Sequence, residues 1–222
     1  MSITRREFCE STAAVTLAAA AGISLWPGLM REAAAQKPSV VELMKAGPLP
    51  EMTLGAENAP VTMIEYASMT CSHCASFAVD TFPELKRRYI DTGKVYFIFR
   101  EFPLDPLAAA GFMLARCSGD GDKNRFFAMV DTLFHKHSEW VVQQPVPKLL
   151  AIAKQAGFTE ESFKACLSNQ TLLDKIESVR QHANEKFRIS STPTFFINGE
   201  KHPGALSIAT IEKVIEPYLK GT

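Results

Sequence analysis

Two cysteines separated by two residues, Cys71-Ser72-His73-Cys74, carry the strongest chemical signal in the chain. Ahead of them Val61-Thr62-Met63-Ile64-Glu65-Tyr66-Ala67 is β-rich and begins after Pro60, which predicts a buried central strand ending just before the first cysteine. After Cys71 the spacing turns helical through Cys74, Ala78, Phe82, Leu85 and Tyr89, with Gly93 placed to end the helix. A thiol at such a junction faces unpaired backbone N–H groups and the positive end of the helix dipole, and both stabilise its thiolate. Cys71 is that thiol. Cys74, one turn further on, is placed to be shielded and to close or release an intramolecular disulfide. His73 adjoins both sulfurs in sequence, and its imidazole would favour the thiolate further. A stabilised thiolate favours the dithiol and makes the disulfide oxidising. The competing chemistry for one CxxC is half a zinc site. No second CxxC or close His pair completes it, because His135 and His137 stand at i, i+2 and would diverge on a helix.

The rest of the chain bounds this chemistry. Its 222 residues carry 24 Lys+Arg against 24 Asp+Glu, with 46% hydrophobic and 22% charged residues. That composition belongs to a folded globular protein of one domain, or one domain with an insertion. It excludes a disordered or collagen-like chain, and zero net charge gives no electrostatic reason to expect nucleic acid as a partner. Five cysteines are too few for a disulfide-dense miniprotein.

The N-terminus reads as an export signal. Thr4-Arg5-Arg6-Glu7-Phe8 resembles the twin-arginine export motif. The uncharged, Ala-rich run from Ala13 to Leu25 has 13 residues, short of the roughly 20 that span a bilayer. Ala33-Ala34-Ala35 supplies small residues for cleavage between Ala35 and Gln36; the alternative is an uncleaved anchor. Removing 1–35 takes away Cys9 and leaves Cys71, Cys74, Cys117 and Cys166 in a compartment where disulfides persist.

Four blocks follow. Residues 1–35 are the signal, and 36–104 hold a polar, Pro-containing, irregular lead-in to 50 and then a βαβ unit whose second strand is Val95-Tyr96-Phe97-Ile98-Phe99. A helix between the strands predicts that they run parallel. Pro83 predicts a kink or break in that helix. Residues 105–188 are helical: Leu107–Cys117, Lys123–His137, Val146–Gln155, Glu160–Leu167 and Leu172–Phe187, punctuated by Gly and Pro. Residues 189–222 return to strand at Thr194–Ile197, turn at Asn198-Gly199 and pair around Lys201–Ala205. Ser207 can then cap a last helix that buries Ile208, Ile211, Val214, Ile215 and Tyr218, with Pro217 bending or shortening its end.

The order βαβ, helices, ββα, with the CxxC between the first long strand and its helix, resembles the DsbA-type thiol:disulfide oxidoreductases. Ser191-Thr192-Pro193-Thr194 before a strand, and Glu65 six residues ahead of Cys71, strengthen the likeness, which covers residues 48–220. The resemblance implies an α/β thioredoxin fold with an inserted all-helical domain. It implies catalytic roles for Cys71, Ser72, His73, Cys74, Glu65, Thr192 and Pro193. Pro193 could simply open a strand, where a missing N–H is tolerated; the family reading is a cis Thr192–Pro193 peptide facing the CxxC that lets Thr192 pair with an extended substrate. Glu65 could face solvent at a strand end; the family reading places it beneath Cys74, its pKa raised by burial, moving the proton of that thiol. Arg100 on the neighbouring strand could pair with it. Cys117 and Cys166 could be buried free thiols. Relatives with a second bridge imply instead a structural or potential-tuning disulfide, worth about 4 kcal/mol in the chain-entropy model.

Other features take plainer readings. Phe112, Phe126, Phe127 and Phe134 read as helical-domain core that could in part line a hydrophobic groove, Trp140 as core, and His135, His137, His182 and His202 as surface. The expected activity is an exported oxidase, periplasmic or otherwise outside the cytoplasm, a monomer that donates the Cys71–Cys74 disulfide to reduced, unfolded proteins. The resemblance implies reoxidation by a membrane partner linked to quinone, and no cofactor or metal is expected because the cysteines carry the electrons. The alternatives are a reductase or isomerase on the same fold, suggested by Ser72 where the best-known oxidases have Pro, and a non-catalytic protein that binds metal or unfolded chains. Residues 36–48 are too few for the separate dimerisation module that isomerases use.

Overall fold

The strand Val61–Ala67 (β2) and the strand Val95–Glu101 (β3) lie side by side and parallel, Val61 opposite Val95 and Ala67 opposite Glu101. They form the centre of a five-stranded sheet in a computed structural model that describes residues 40–220. The signal sequence, Cys9 and the Ala35–Gln36 cleavage point lie outside the described residues. Among the described residues no helix is long and apolar enough to cross a membrane.

Strands Thr194–Ile197 (β4) and Glu200–Pro203 (β5) extend the sheet antiparallel beyond β2, and Met52–Leu54 (β1) pairs antiparallel with the other side of β3. The sheet order is β1-β3-β2-β4-β5. Asn198 and Gly199, with φ of 46° and 85°, make the β4–β5 turn in the left-handed region that Asn-Gly accommodates. The lead-in is more structured than its composition suggests. It contains a short helix, Val40–Leu43 (α1), that buries Leu43, and β1 follows it. Elements of three or four residues are too short to show a hydrophobic period.

Alternation along β2 and β3 separates two cores. Met63, Phe97 and Phe99 face one side together with Cys74, Phe77 and most of the helical insertion. Ile64, Tyr66, Tyr96 and Ile98 face the other with Leu43, Ala183, Phe187 and Phe196. Hence Glu65 and Arg100 lie on opposite faces. The structure overturns their pairing: Arg100 donates to Glu51 at 3.0 and 3.2 Å, to the Tyr66 hydroxyl at 2.8 Å and to the Leu43 carbonyl at 2.7 Å.

The helical crossover after Cys71 is segmented, as Pro83 predicts. Ser72–Ser76 (α2) passes into a π-helical turn at Phe77–Thr81, then Phe82–Leu85 (α3) and a second π-helical turn at Lys86–Ile90. Pro83 sits in the first turn of α3; it has no N–H for the carbonyl four residues back, so the ladder shifts register there.

The insertion comprises Pro106–Gly119 (α4), Lys123–His135 (α5), His137–Trp140 (α6), Pro145–Gln155 (α7), Glu160–Leu167 (α8) and Gln170–Phe187 (α9). Where the sequence suggests one helix to His137, the ladder stops at Lys136 and a separate turn buries Trp140, whose Nε1 donates to the Leu133 carbonyl at 2.8 Å. α9 starts two residues earlier than its apolar period, because the Asn169 side chain caps it through the Leu172 N–H. The insertion and the sheet share a continuous apolar core. In the last helix, Ile208–Leu219 (α10), the Ser207 hydroxyl accepts from the Thr210 N–H, and Ile211 and Ile215 are buried. One expectation fails there: Tyr218 is exposed. The helix ends two residues after Pro217, whose missing N–H falls in the last turn.

Candidate active site

Cys71 occupies the N-cap of α2, in extended conformation, with its backbone carbonyl accepting from Ala75 N–H at 3.0 Å. Its side chain is half-buried, and its Sγ lies 3.3 Å from the Thr192 carbonyl of the cis Thr192–Pro193 peptide. The loop carrying Thr192 is itself pinned: Gly204 N–H donates to the Pro193 carbonyl at 2.8 Å, and the Thr194 hydroxyl to Ser191 at 2.7 Å. The β4–β5 hairpin therefore holds the proline against the first turn of α2.

The two sulfurs have opposite surroundings. The Cys74 thiol, donating to the Cys71 sulfur, is the largest influence holding the Cys71 thiol down at about 5; Thr192 and the backbone N–H groups of Cys74 and His73 add to it against the burial that opposes ionisation. The Thr192 hydroxyl is buried with no other partner, so it can serve the thiolate. Cys74 is buried, and burial first, then Cys71 and Glu65, push its thiol far up. One backbone donor faces it, the Ser68 N–H at 3.5 Å.

Glu65 is 3% exposed, and burial, followed by the charge of Cys71, raises its carboxyl to about 8. The structure thus puts it inside the protein rather than in solvent at a strand end, within electrostatic reach of both sulfurs. Ser72 and His73 are both exposed on the first turn of α2. Cys71, Cys74, Glu65, Thr192 and Pro193 come together, and Ser72 and His73 flank the sulfurs from the solvent side.

Several positioning residues carry no motif. The Thr70 hydroxyl donates to Asp105 at 2.6 Å, and Asp105 also caps α4 through the Ala108 N–H at 2.8 Å. The Leu104 N–H donates to the Ser68 hydroxyl at 3.3 Å. These bonds tie the loop before Cys71 to the start of the insertion. Asp105-Pro106 is a readable helix start, but its second partner, Thr70, is not. Gly111 of α4 packs under the same loop; a Cβ there would stand 3.1 Å from Met69 and 3.4 Å from Trp140.

Away from the site, Cys117 near the end of α4 is bonded to Cys166 of α8, with Cα atoms 6.2 Å apart. Among the described residues no cluster of three or more His, Cys, Asp or Glu side chains could hold a metal ion. His135 is exposed, whereas His137, His182 and His202 are half-buried, tucked against Trp140, Phe187 and the β4–β5 hairpin. Phe112, Phe126 and Phe134 are core, and Phe134 together with the half-buried Phe127 lines a cavity that reaches Glu65.

Residues 49–217 match the family model described as Thioredoxin. A Rickettsia bellii protein, named provisionally as a protein-disulfide oxidoreductase, is 33% identical over 193 residues, covering 84% of this chain and 74% of that protein. The chain spans 61% of the length of a Rickettsia conorii protein of the same kind. The disulfide bond formation protein D of Bacillus subtilis is 29% identical, with 76% and 77% of the two chains covered. Among solved structures, Wolbachia pipientis alpha-DsbA1 superposes with a TM-score of 0.72 at 34% identity, covering 81% of this chain and 96% of that one.

Proposed function

The chain belongs to the thioredoxin family and is a DsbA-like protein-disulfide oxidoreductase, and on that premise we propose that it works as an exported, periplasmic oxidase. It donates the Cys71–Cys74 disulfide to reduced, unfolded proteins. The observation that carries this reading is the inequality of the two sulfurs: Cys71 ionises at about 5 while burial keeps Cys74 protonated.

Cys71 and Cys74 are side by side at the start of α2, as a pair that cycles between dithiol and disulfide requires. In the forward direction a substrate thiolate attacks Cys71 of the disulfide, and the Cys71–Cys74 bond breaks. Cys74 leaves with the electron pair. It takes a proton from the Glu65 carboxyl, whose raised pKa keeps that proton available near neutrality. A second substrate thiolate then attacks the substrate sulfur of the mixed disulfide and releases Cys71 as its stabilised thiolate. Two electrons pass from substrate to enzyme, and no cofactor is needed. The Thr192 backbone, placed beside Cys71, offers main-chain pairing to an extended segment, which suits many different substrates. A quinone-linked membrane partner would reoxidise the dithiol, a role supported by the family resemblance; the enzyme is read as a monomer.

The direction of electron flow is tested by the reduction potential of the Cys71–Cys74 pair in residues 36–222, titrated in glutathione buffers and followed by thiol-labelling mass spectrometry. The oxidase requires a potential above the glutathione poise. A value well below it would convert the reading to a reductase, and no titration would remove both. Export is tested separately: the N-terminus of the protein recovered from the periplasm should be Gln36.

A further inference from the structure

Against Glu65 lies a cavity of about 310 Å³ between the crossover helix, the sheet and α5. Its walls are phenylalanines from all three: Phe77 and Phe82, Phe97 and Phe99, Phe127 and Phe134. Its open side carries the exposed side chains of Lys86 and Asp131, each engaged elsewhere, with Asp91 and His135 respectively. Deep inside, the polar group is the Glu65 carboxyl. That carboxyl has no hydrogen bond or ion pair among the described residues.

A buried carboxyl without a partner is costly. Water is a poor remedy, because an ordered buried water needs two to four polar partners and this lining supplies one deep group. An anion would find no counter-charge among the phenylalanines and would oppose ionisation of Glu65. Aromatic faces around a carboxyl attract a cation, through ring quadrupoles and direct ion pairing together. The volume and apolar walls match a small-molecule site at the junction of two structural blocks.

We propose that this cavity is a binding site for a small hydrophobic amine, with its apolar body among the phenylalanines and its ammonium against the Glu65 carboxylate. One consequence rests on the exchange chemistry proposed above. An ammonium that holds Glu65 ionised withdraws the proton that Cys74 takes as it leaves, so an occupied cavity slows disulfide donation.

The test is calorimetric titration of the purified protein with phenethylammonium chloride and with its neutral counterpart 2-phenylethanol. Saturable binding of the amine, at least about tenfold tighter than the alcohol, is expected. Glu65→Gln should abolish that preference, and Ala128→Phe, at the cavity lining, should remove binding of both while leaving the melting transition cooperative. Equal affinity for amine and alcohol, an amine preference that survives in Glu65→Gln, or no saturation by either would overturn the site. Reduction of the oxidised protein by glutathione should slow by about 100-fold at saturating amine, as loss of a positioned acid does, and stay unchanged with the alcohol. An unchanged rate despite measured binding would overturn the coupling to Cys74. A protein that exchanges with glutathione in neither condition would instead remove the redox reading on which the coupling rests.

Discussion

The molecule has two cysteine pairs, and their surroundings share little. Cys71 and Cys74 sit at a strand-to-helix junction where one sulfur meets backbone donors, a second thiol and the Thr192 carbonyl, and the other is sealed beside a carboxyl. Cys117 and Cys166 join two helices of the insertion, Cys117 in the last turn of α4 and Cys166 in the last turn of α8, with no helix N-terminus at either sulfur. The difference shows that reactivity in this protein is a property of position. In the first pair access sets the point of attack at Cys71, and acidity makes Cys71 the preferred leaving group from the mixed disulfide that results; a bond between two helices in a packed core acts instead on the chain that it closes.

The sharpest way to break this contrast is to disable each pair in turn. Cys71→Ser should abolish disulfide donation entirely, measured as oxidation of a reduced model peptide, while binding of an unfolded chain survives. A variant that retains turnover would show that the acidic thiol is not the point of attack. Glu65→Gln should leave Cys71 alkylation intact and slow the step in which Cys74 leaves by about 100-fold, the low end for loss of a general acid. Stopped-flow fluorescence on both steps separates the two effects.

The second pair should answer differently. Replacing Cys117 and Cys166 together by Ala should cost about 4 kcal/mol in the chain-entropy model. For a domain of this size that corresponds to a fall in Tm of roughly 10 °C. Peptide oxidation at 25 °C should change less than about twofold. A large loss of rate with little loss of stability would reverse the assignment of roles.

pH acts on the first pair and its carboxyl, and leaves the second pair untouched. Cys71 is depressed from 9.0 to about 5, so its ionisation stabilises the folded dithiol form fully above pH 9, progressively less toward 5, and not at all below. Glu65 is raised from 4.5 to about 8, so its contribution is complete below 4.5 and is lost as pH rises through 8. The two oppose each other between 5 and 8 in the dithiol form, and the disulfide form carries only the second. Urea unfolding of both forms should therefore show the dithiol gaining on the disulfide from pH 5 to 9. The Cys117–Cys166 bond should contribute equally across that range. The smallest effect is expected at the loop that aligns the reactive pair: Asp105→Ala removes the α4 cap and the Thr70 tie, and should cost about 1 kcal/mol with a modest loss of rate.

Much of the fold is legible in the chain because its elements are long or strongly marked. β2, the parallel β3 and α8 follow from β-rich runs and apolar period, and the segmented crossover follows from Pro83. Short elements were not legible: α1, β1 and the α6 turn have too few residues to carry a period. Arg100 shows a different limit. Its charge and its place near the end of β3 invite a partner on β2, but the register places it opposite Tyr66 and on the far face from Glu65.

The sequence alone determined which atoms could exchange a disulfide, since two thiols at that spacing on a helix start are a local matter of backbone geometry and dipole. It also determined the order of elements, because hydrophobic period and punctuation are properties of neighbouring residues. Only the tertiary structure decided how acidic each sulfur is, which face Glu65 occupies, and that Cys117 lies within bonding distance of Cys166. Those quantities depend on burial and on groups contributed by segments far away in the chain, Thr192 above all, and desolvation and Coulomb energies are set by distance in space rather than along the sequence.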